Sequence, residues 1–367
     1  MTTAKKSIYV AYTGGTIGMK PSAQGYVPAE NFLRTHLHSM PEFNRPELPD
    51  FSVHEYHPLM DSANMSPSDW QVIAEDIAAH YEQYDGFVVL HGTDTMAYTA
   101  SALSFMLENL NKPVIITGSQ IPLAQLRSDG HANLLNSLYI AANHPIAEVG
   151  LFFNNRLYRG NRSVKTHADG FNAFESPNYG PLLEAGIDIS LINGRLLNAA
   201  HADEQPFRVQ TIQPQTIGVL TLYPGIDSSL VENLLQQPLA ALILQSFGVG
   251  NAPQNERFLQ LLQTATDQGT LIINCTQCLQ GKVNMDGYAT GNALARAGVI
   301  SGGDMTFEAT LTKLHYLLSQ NFTISEVRQL MTQNLRGELS AYLAIFYPRS
   351  RDPSTPPHSA SYLCAAA

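Results

Sequence analysis

The chain has 367 residues, 44% of them hydrophobic and 14% charged, and its 31 acidic and 21 basic side chains give a formal charge of −10. This length allows one large core or two ordinary ones, since domains run roughly 100 to 200 residues, and the acidic balance opposes the clustered Lys and Arg from which nucleic-acid binders draw most of their non-specific affinity. No apolar stretch approaches the roughly 20 residues that a bilayer crossing needs, so a small molecule is a better partner than nucleic acid or membrane.

At the amino terminus two lysines precede only the five apolar residues 8–12, too few for a secretory h-region of about 7 to 15. Residues 8–12, 87–90, 114–117 and 149–153 read as buried strands with amphipathic segments between them, the grammar of a parallel α/β sheet. Ser66-Pro67-Ser68-Asp69 is a helix start, with Trp70, Ile73, Ile77 and Tyr81 following near helical spacing. A second helix is expected over 96–110, ending before Pro113. From residue 182 to 213 the periodicity fades into polar residues, alanines and prolines, which reads as a linker or domain crossing. Strands are then expected at 217–223, 240–244 and 271–274, and helices at 256–268, 307–320 and 324–334. The chain thus divides into a larger N-terminal parallel-sheet α/β domain (1–190), a linker (191–213), a smaller C-terminal α/β domain (214–340) and a tail (341–367). The proline-rich composition of that tail predicts disorder.

Cys275, Cys278 and Cys364 cannot supply a disulfide framework for a chain this long, which agrees with a reducing compartment and a cytoplasmic location. Cys275-Thr276-Gln277-Cys278 has redox or half-zinc spacing, but no second ligand pair follows it, and the plainer reading is two small residues ending a buried strand. The final Cys364-Ala365-Ala366-Ala367 matches a prenylation box only formally, with no polybasic segment before it.

The chemistry gathers at strand ends. Thr13-Gly14-Gly15-Thr16 follows the first strand, His91-Gly92-Thr93-Asp94-Thr95 follows the second expected buried strand, and Thr117-Gly118-Ser119-Gln120 the third. In parallel sheets these loops form the ligand crevice, and adjacent glycines admit a ligand to the backbone. A nucleotide-binding turn is the rival for the first loop, yet GxGxxG and GxxxxGK[ST] are both missing. Simple helix capping is the rival for the second. A threonine hydroxyl is a weak nucleophile unless a neighbouring base takes its proton; Lys165 can be that base if burial or a cationic neighbour favours its neutral form, with Asp94 orienting it. Thr, Asp and Lys beside Gly-rich N–H donors describe metal-free acyl transfer. No HExxH occurs, and His54 and His57 are poorly spaced for chelation, so neither metal nor cofactor is expected.

Residues 10–18 and 86–96, which contain these two loops, resemble the signature segments of the bacterial-type L-asparaginases, closest to the cytoplasmic type I enzymes of gammaproteobacteria, and the likeness runs from about residue 7 to 339. It implies the asparaginase-like two-domain fold, hydrolysis of the side-chain amide of L-asparagine, and self-association into a dimer or tetramer. Carried over residue by residue, Thr16 is a nucleophile candidate, with Tyr26 of a flexible lid beside it. Thr93 works with Lys165 and Asp94, and Asp94 also meets the substrate α-ammonium. Ser62 corresponds to the α-carboxylate contact, the carbonyl of Ser119 to an acceptor for the carboxamide, and Asn251 to a residue lent by the neighbouring subunit.

The sequence also departs from the family. Ala63 follows Ser62 where periplasmic relatives place glutamine, and no match is found for the glutamate they take from the partner subunit. Where the cytoplasmic branch can bind an activating asparagine, a threonine and an arginine are expected and Val164 and Gln245 stand instead, which predicts non-cooperative kinetics. The asparaginase-like subunit of a tRNA-dependent amidotransferase is disfavoured by the acidic balance and by the few residues before Thr13. A receptor that captures an amino acid unchanged has no use for two threonines and a lysine at strand ends.

Overall fold

A computed structural model describes residues 5–23, 25–29, 31–192, 194–197, 205–285, 287 and 289–340. The sequence-predicted tail 341–367 lies outside them. The larger sheet has eight strands: β1 (Ser7–Gly14), β2 (Asp50–Met60), β3 (Gly86–Leu90), β4 (Val114–Thr117), β5 (Val149–Phe153), β6 (Arg156–Arg159), β7 (Leu183–Ala185) and β8 (Ile189–Leu191). Their spatial order is β8-β7-β6-β5-β4-β3-β1-β2. The five strands from β5 to β2 are parallel, whereas β6, β7 and β8 join antiparallel at the far edge. The expected parallel sheet is therefore a mixed one dominated by parallel pairs. Two of its antiparallel strands fall in the stretch whose periodicity fades after residue 182. Strands of three residues carry too little pattern to be seen without the neighbour they pair with.

β1, β3, β4 and β5 are buried on both faces, which is why they read as unbroken apolar runs and not as alternation. Helix α1 (Phe32–Ser39) follows β1, and α2 (Pro67–His80) opens on the expected cap, the Ser66 amide donating to the Asp69 carboxylate at 2.7 Å. Helix α3 (Met96–Met106) is buried at every position except Tyr98, because one side meets the large sheet and the other the C-terminal helix α8 (Phe307–Leu318). α3 ends a turn earlier than expected. Leu107 turns extended and, with Glu108, pairs antiparallel with Arg208–Val209, a contact about a hundred residues away in sequence. Helix α4 (Gly130–Asn143) covers the sheet chiefly over β3 and β4.

The smaller sheet is fully parallel, in the order β9 (Ile217–Thr221), β10 (Ala241–Ser246), β11 (Leu271–Thr276) and β12 (Ile300–Ser301). It carries α5 (Ser228–Leu235), α6 (Glu256–Asp267), α7 (Ala289–Arg296), α8 and α9 (Ile324–Met331). The patterns at 256–268, 307–320 and 324–334 correspond to α6, α8 and α9, while α5, α7 and β12 had no expectation attached. One core cluster runs from Trp70, Met96 and Phe105 through to Ile243, Leu271, Leu314 and Leu317, so the two sheets share apolar interior across the α3–α8 contact. Cys275 is buried and free, its thiol donating to Thr310 at 3.3 Å and pushed up to about 11 by burial, while Cys278 is exposed. Among the described residues no group of three His, Cys, Asp or Glu side chains could hold a metal, and no helix is long and apolar enough to cross a membrane.

Three buried ion pairs bind the parts together. Arg159 meets Glu148 at 2.6 Å, Arg162 meets Asp304 at 2.8 Å, and Lys313 meets Glu338 at 2.6 Å. Burial opposes the Asp304 charge, but hydrogen bonds from Ser340 and the Arg162 guanidinium outweigh it and hold the carboxyl below its ordinary range. The Lys313–Glu338 pair has no solvent exposure at all, and Glu338 accepts the Leu335 and Arg336 amides besides. Removing one member of such a pair strands the other charge in low dielectric. Lys313→Met should therefore lower the unfolding free energy by about 3 to 5 kcal/mol, read as a fall in the urea midpoint; a midpoint equal to the parent's would mean that Glu338 is satisfied by the backbone amides alone.

Candidate active site

The chain runs from β1 to β2 on one side and then crosses to β3 on the other, so β1 is a topological switch point, where open α/β sheets form their crevice. β2, β1, β3 and β4 are consecutive neighbours, and Ser62, Gly15-Thr16, Gly92-Thr93 and Ser119-Gln120 follow their respective carboxyl ends. Residues far apart in sequence therefore meet as four adjacent loops.

Two of these loops touch through their backbones. Gly15 has φ of 92°, and a Cβ built on it would lie 2.5 Å from the Gly92 nitrogen; one built on Gly92 would lie 2.3 Å from Ser62 Oγ. Both positions need glycine, the first for its left-handed backbone as well as for space. The hydroxyls of the loops then separate by role. Thr13 donates to the Leu90 carbonyl at 2.9 Å, Thr95 to the Ser62 carbonyl at 2.7 Å and Thr117 to the Phe152 carbonyl at 2.8 Å, so these three stitch strands and loops together. Thr16 opens a short 3-10 turn (Thr16–Gly18), and its hydroxyl makes no hydrogen bond with the described residues.

Thr93 is engaged. The Lys165 ammonium donates to Thr93 Oγ1 at 3.0 Å and to Asp94 Oδ1 at 2.8 Å, and the Thr93 hydroxyl donates to Gln120 Oε1 at 3.1 Å. The Lys165 side chain is 19% exposed and that of Asp94 65%, which places the lysine inside and the carboxylate at the mouth. Lys165 ends the short strand Val164–Lys165, reached from β6 through the 3-10 turn Gly160–Arg162. Arg159 precedes that turn and Arg162 ends it, both buried and ion-paired.

His91 lies wholly buried beneath the second loop, its Nδ1 2.7 Å from the Gly92 carbonyl and its Nε2 2.8 Å from Thr99 Oγ1, and burial brings its pKa down to about 4. A neutral ring with Nδ1–H satisfies both contacts. Ser119 is buried, and its hydroxyl has no hydrogen-bond partner among the described residues.

Sequence reasoning thus finds a cluster: Thr93, Asp94 and Lys165 are in direct contact, and Thr16, Ser62 and Ser119 are brought to the same edge of the sheet. Tyr26 is held less closely. It lies 51% exposed on the hairpin Met19–Ser22 and Gly25–Pro28, whose second strand runs beside the Thr16–Gly18 turn. Asn251 belongs to the smaller domain, in a turn after β10 where its amide donates to the Phe247 carbonyl at 2.8 Å.

Residues 7–196 match the family description "Asparaginase, N-terminal" and residues 216–331 match "Glutaminase/Asparaginase C-terminal domain". The chain belongs to the asparaginase family. It is 68% identical over 336 residues to L-asparaginase 1 of Escherichia coli K12, covering 92% of this chain and 98% of that one. Its structure resembles L-asparaginase I of Vibrio cholerae (62% identity, TM-score 0.85, 92% of this chain and all of that one). It also resembles the thermostable L-asparaginase of Thermococcus kodakarensis (29% identity, TM-score 0.81, 92% and 100% covered).

In this asparaginase-family site, the residues without a sequence-based assignment are Gln120, which touches Thr93, and Asp129, whose carboxylate accepts the Gln120 amide at 3.0 and 3.1 Å. Gln120 stands next to Ser119 at a strand end, the one signal that could have drawn attention to it. At the positions where the family resemblance predicts loss of an activating site, Gln245 Oε1 accepts the Thr221 hydroxyl at 2.6 Å and Val164 pairs with Glu175.

Proposed function

We propose that the chain hydrolyses the side-chain amide of L-asparagine to L-aspartate and ammonia by threonine nucleophile catalysis. The observation that carries this reading is Lys165 hydrogen-bonded to both Thr93 and Asp94 at the same sheet edge as Thr16, whose hydroxyl has no hydrogen bond among the described residues. A threonine oxygen adds to the carboxamide carbon as its proton passes to a base. The tetrahedral intermediate collapses with its leaving nitrogen protonated to ammonia, and water then cleaves the aspartyl ester through the same groups acting in reverse. Thr16 supplies a hydroxyl facing the acyl carbon, with Tyr26 closing over it. Thr93 supplies the hydroxyl in contact with Lys165, the base in its neutral form. Asp94, at the mouth, attracts the α-ammonium, Ser62 meets the α-carboxylate and the Ser119 carbonyl accepts from the carboxamide nitrogen. Both backbone-rich glycine loops offer N–H groups where the oxyanion develops.

A coupled assay of ammonia release on addition of asparagine tests the activity. Thr16→Ala and Thr93→Ala should each lower kcat by several orders of magnitude with folding intact, on the scale of losing one member of a catalytic unit. Lys165→Arg should not retain activity, because a guanidinium stays charged and cannot accept the proton. Parental turnover in folded Thr93→Ala would remove the Lys165 cluster from the mechanism.

The reading extends to assembly and location. With Asn251 lent across a subunit boundary, the enzyme is a homo-oligomer, at least a dimer, and the free thiols of Cys275 and Cys278, the two cysteines among the described residues, suit the reducing cytoplasm. Activity should fall when the enzyme is diluted below its subunit dissociation constant; an active monomer by light scattering under assay conditions contradicts the shared site.

A further inference from the structure

The geometry points to Gln120 as a positioning residue that holds the Thr93 oxygen and the turn next to Lys165 in place, an inference that rests on the roles proposed above for Thr93 and Lys165. A glutamine amide can be placed either way round, and what each end meets decides between the two. Gln120 Nε2 lies 3.0 Å from the Gly170 carbonyl oxygen and 3.3 Å from that of Ala168. Carbonyls only accept, so they take both amide protons and leave Oε1 directed at Thr93 Oγ1, 3.1 Å away. A threonine hydroxyl has one proton. While Lys165 is an ammonium, 3.0 Å away on the side opposite an oxygen that can only accept, that proton lies toward Gln120 and a lone pair lies toward Lys165; once the lysine is neutral the hydroxyl gives it the proton with its oxygen already in place. The Thr93 oxygen is thereby held from both sides before the reaction begins.

The same amide holds the turn. Ala168 and Gly170 lie in the segment 166–173 that joins the strand Val164–Lys165 to its partner Phe174–Glu175, and the Thr166 and His167 amides close it onto the Ala173 carbonyl at 2.9 and 3.2 Å. Residues 167–169 are exposed, so little apolar packing restrains this turn, and Lys165 stands directly before it. The other end of the clamp is rigid. The Asp129 carboxylate, at the start of α4, accepts the amides of Gln120 and Ile121 and the side chain of Asn133. One line of hydrogen bonds therefore runs from a helix start through the Gln120 backbone and amide to both the hydroxyl and the lysine-bearing hairpin.

Two variants separate this role from mere sealing of the surface. Gln120→Leu removes acceptor and donors together, while Gln120→Glu keeps an acceptor for Thr93, loses both donors and sets an oxygen against two carbonyls. Ammonia release over a range of asparagine concentrations and amide hydrogen exchange across residues 166–173 are measured on both variants and the parent. The expected result for Gln120→Leu is a kcat lower by roughly 10²-fold, the scale of a misplacement near 1 Å in a catalytic group, with KM close to the parent value. Gln120→Glu should fall between the two, and both variants should exchange faster across the turn. Parental kcat in Gln120→Leu, or exchange as slow as in the parent, overturns the proposal. Should the leucine variant not fold, the glutamate variant decides by the same two readouts. A parent that releases no ammonia from asparagine refutes the proposed activity instead, and the exchange measurement still decides whether Gln120 clamps the turn.

Discussion

The contact on which the site depends is the approach of Gly15 to Gly92. Two loops from neighbouring parallel strands come so close that a single methyl group on Gly15 would overlap the next loop's backbone, and that approach sets the Thr16 and Thr93 hydroxyls at one sheet edge. Ser62 is packed against Gly92 from the next strand over, and Thr95 donates back to the Ser62 carbonyl. The glycines thus permit close packing of polar backbone, with hydroxyls stitching what apolar side chains cannot. Main-chain donors gathered in this way are fixed before any substrate arrives, and preorganised donors cost no reorientation as charge develops.

Placement of Lys165 depends on a different constraint, burial of charge. The turn before it starts after Arg159 and ends on Arg162, and the guanidinium groups of these two arginines are held by Glu148, Asp304, Ser340 and the Gly337 carbonyl, all but the first from the C-terminal part of the chain. The smaller domain therefore fixes a residue of the larger domain's site from behind. Such pairs contribute little to stability beyond what apolar packing would give, but they tolerate few alternative arrangements, and a single arrangement is what the role proposed for Lys165 requires.

How much was legible in the sequence follows from how local each signal is. β1, β3, β4 and β5 stand out because burial on both faces makes each an unbroken apolar run, and the Ser66–Asp69 start of α2 is a pattern contained in four residues. The end of α3 is not local. It is set by pairing of Leu107–Glu108 with Arg208–Val209, and nothing near residue 107 announces it. β7 and β8 exist as strands through the pairing of β7 with β6, so the chain there reads as a fading loop. Within the site, Thr93 and Asp94 declare themselves by chemistry at a strand end, and Lys165 became a candidate through the threonine's need for a base. Gln120 was hidden because an amide's role is decided by the carbonyls of residues 168 and 170, some fifty positions on, which turn its oxygen toward the hydroxyl.

The most direct test of a reaction centred on Thr16 and Thr93 is a crystal structure with the product L-aspartate bound. The side-chain carboxylate is predicted to lie between the two threonine hydroxyls, with the α-carboxylate on Ser62 and the α-ammonium on Asp94. Aspartate bound elsewhere with these four loops empty, or bound in the reverse sense with its α-carboxylate against Thr16 and Thr93, would contradict the account.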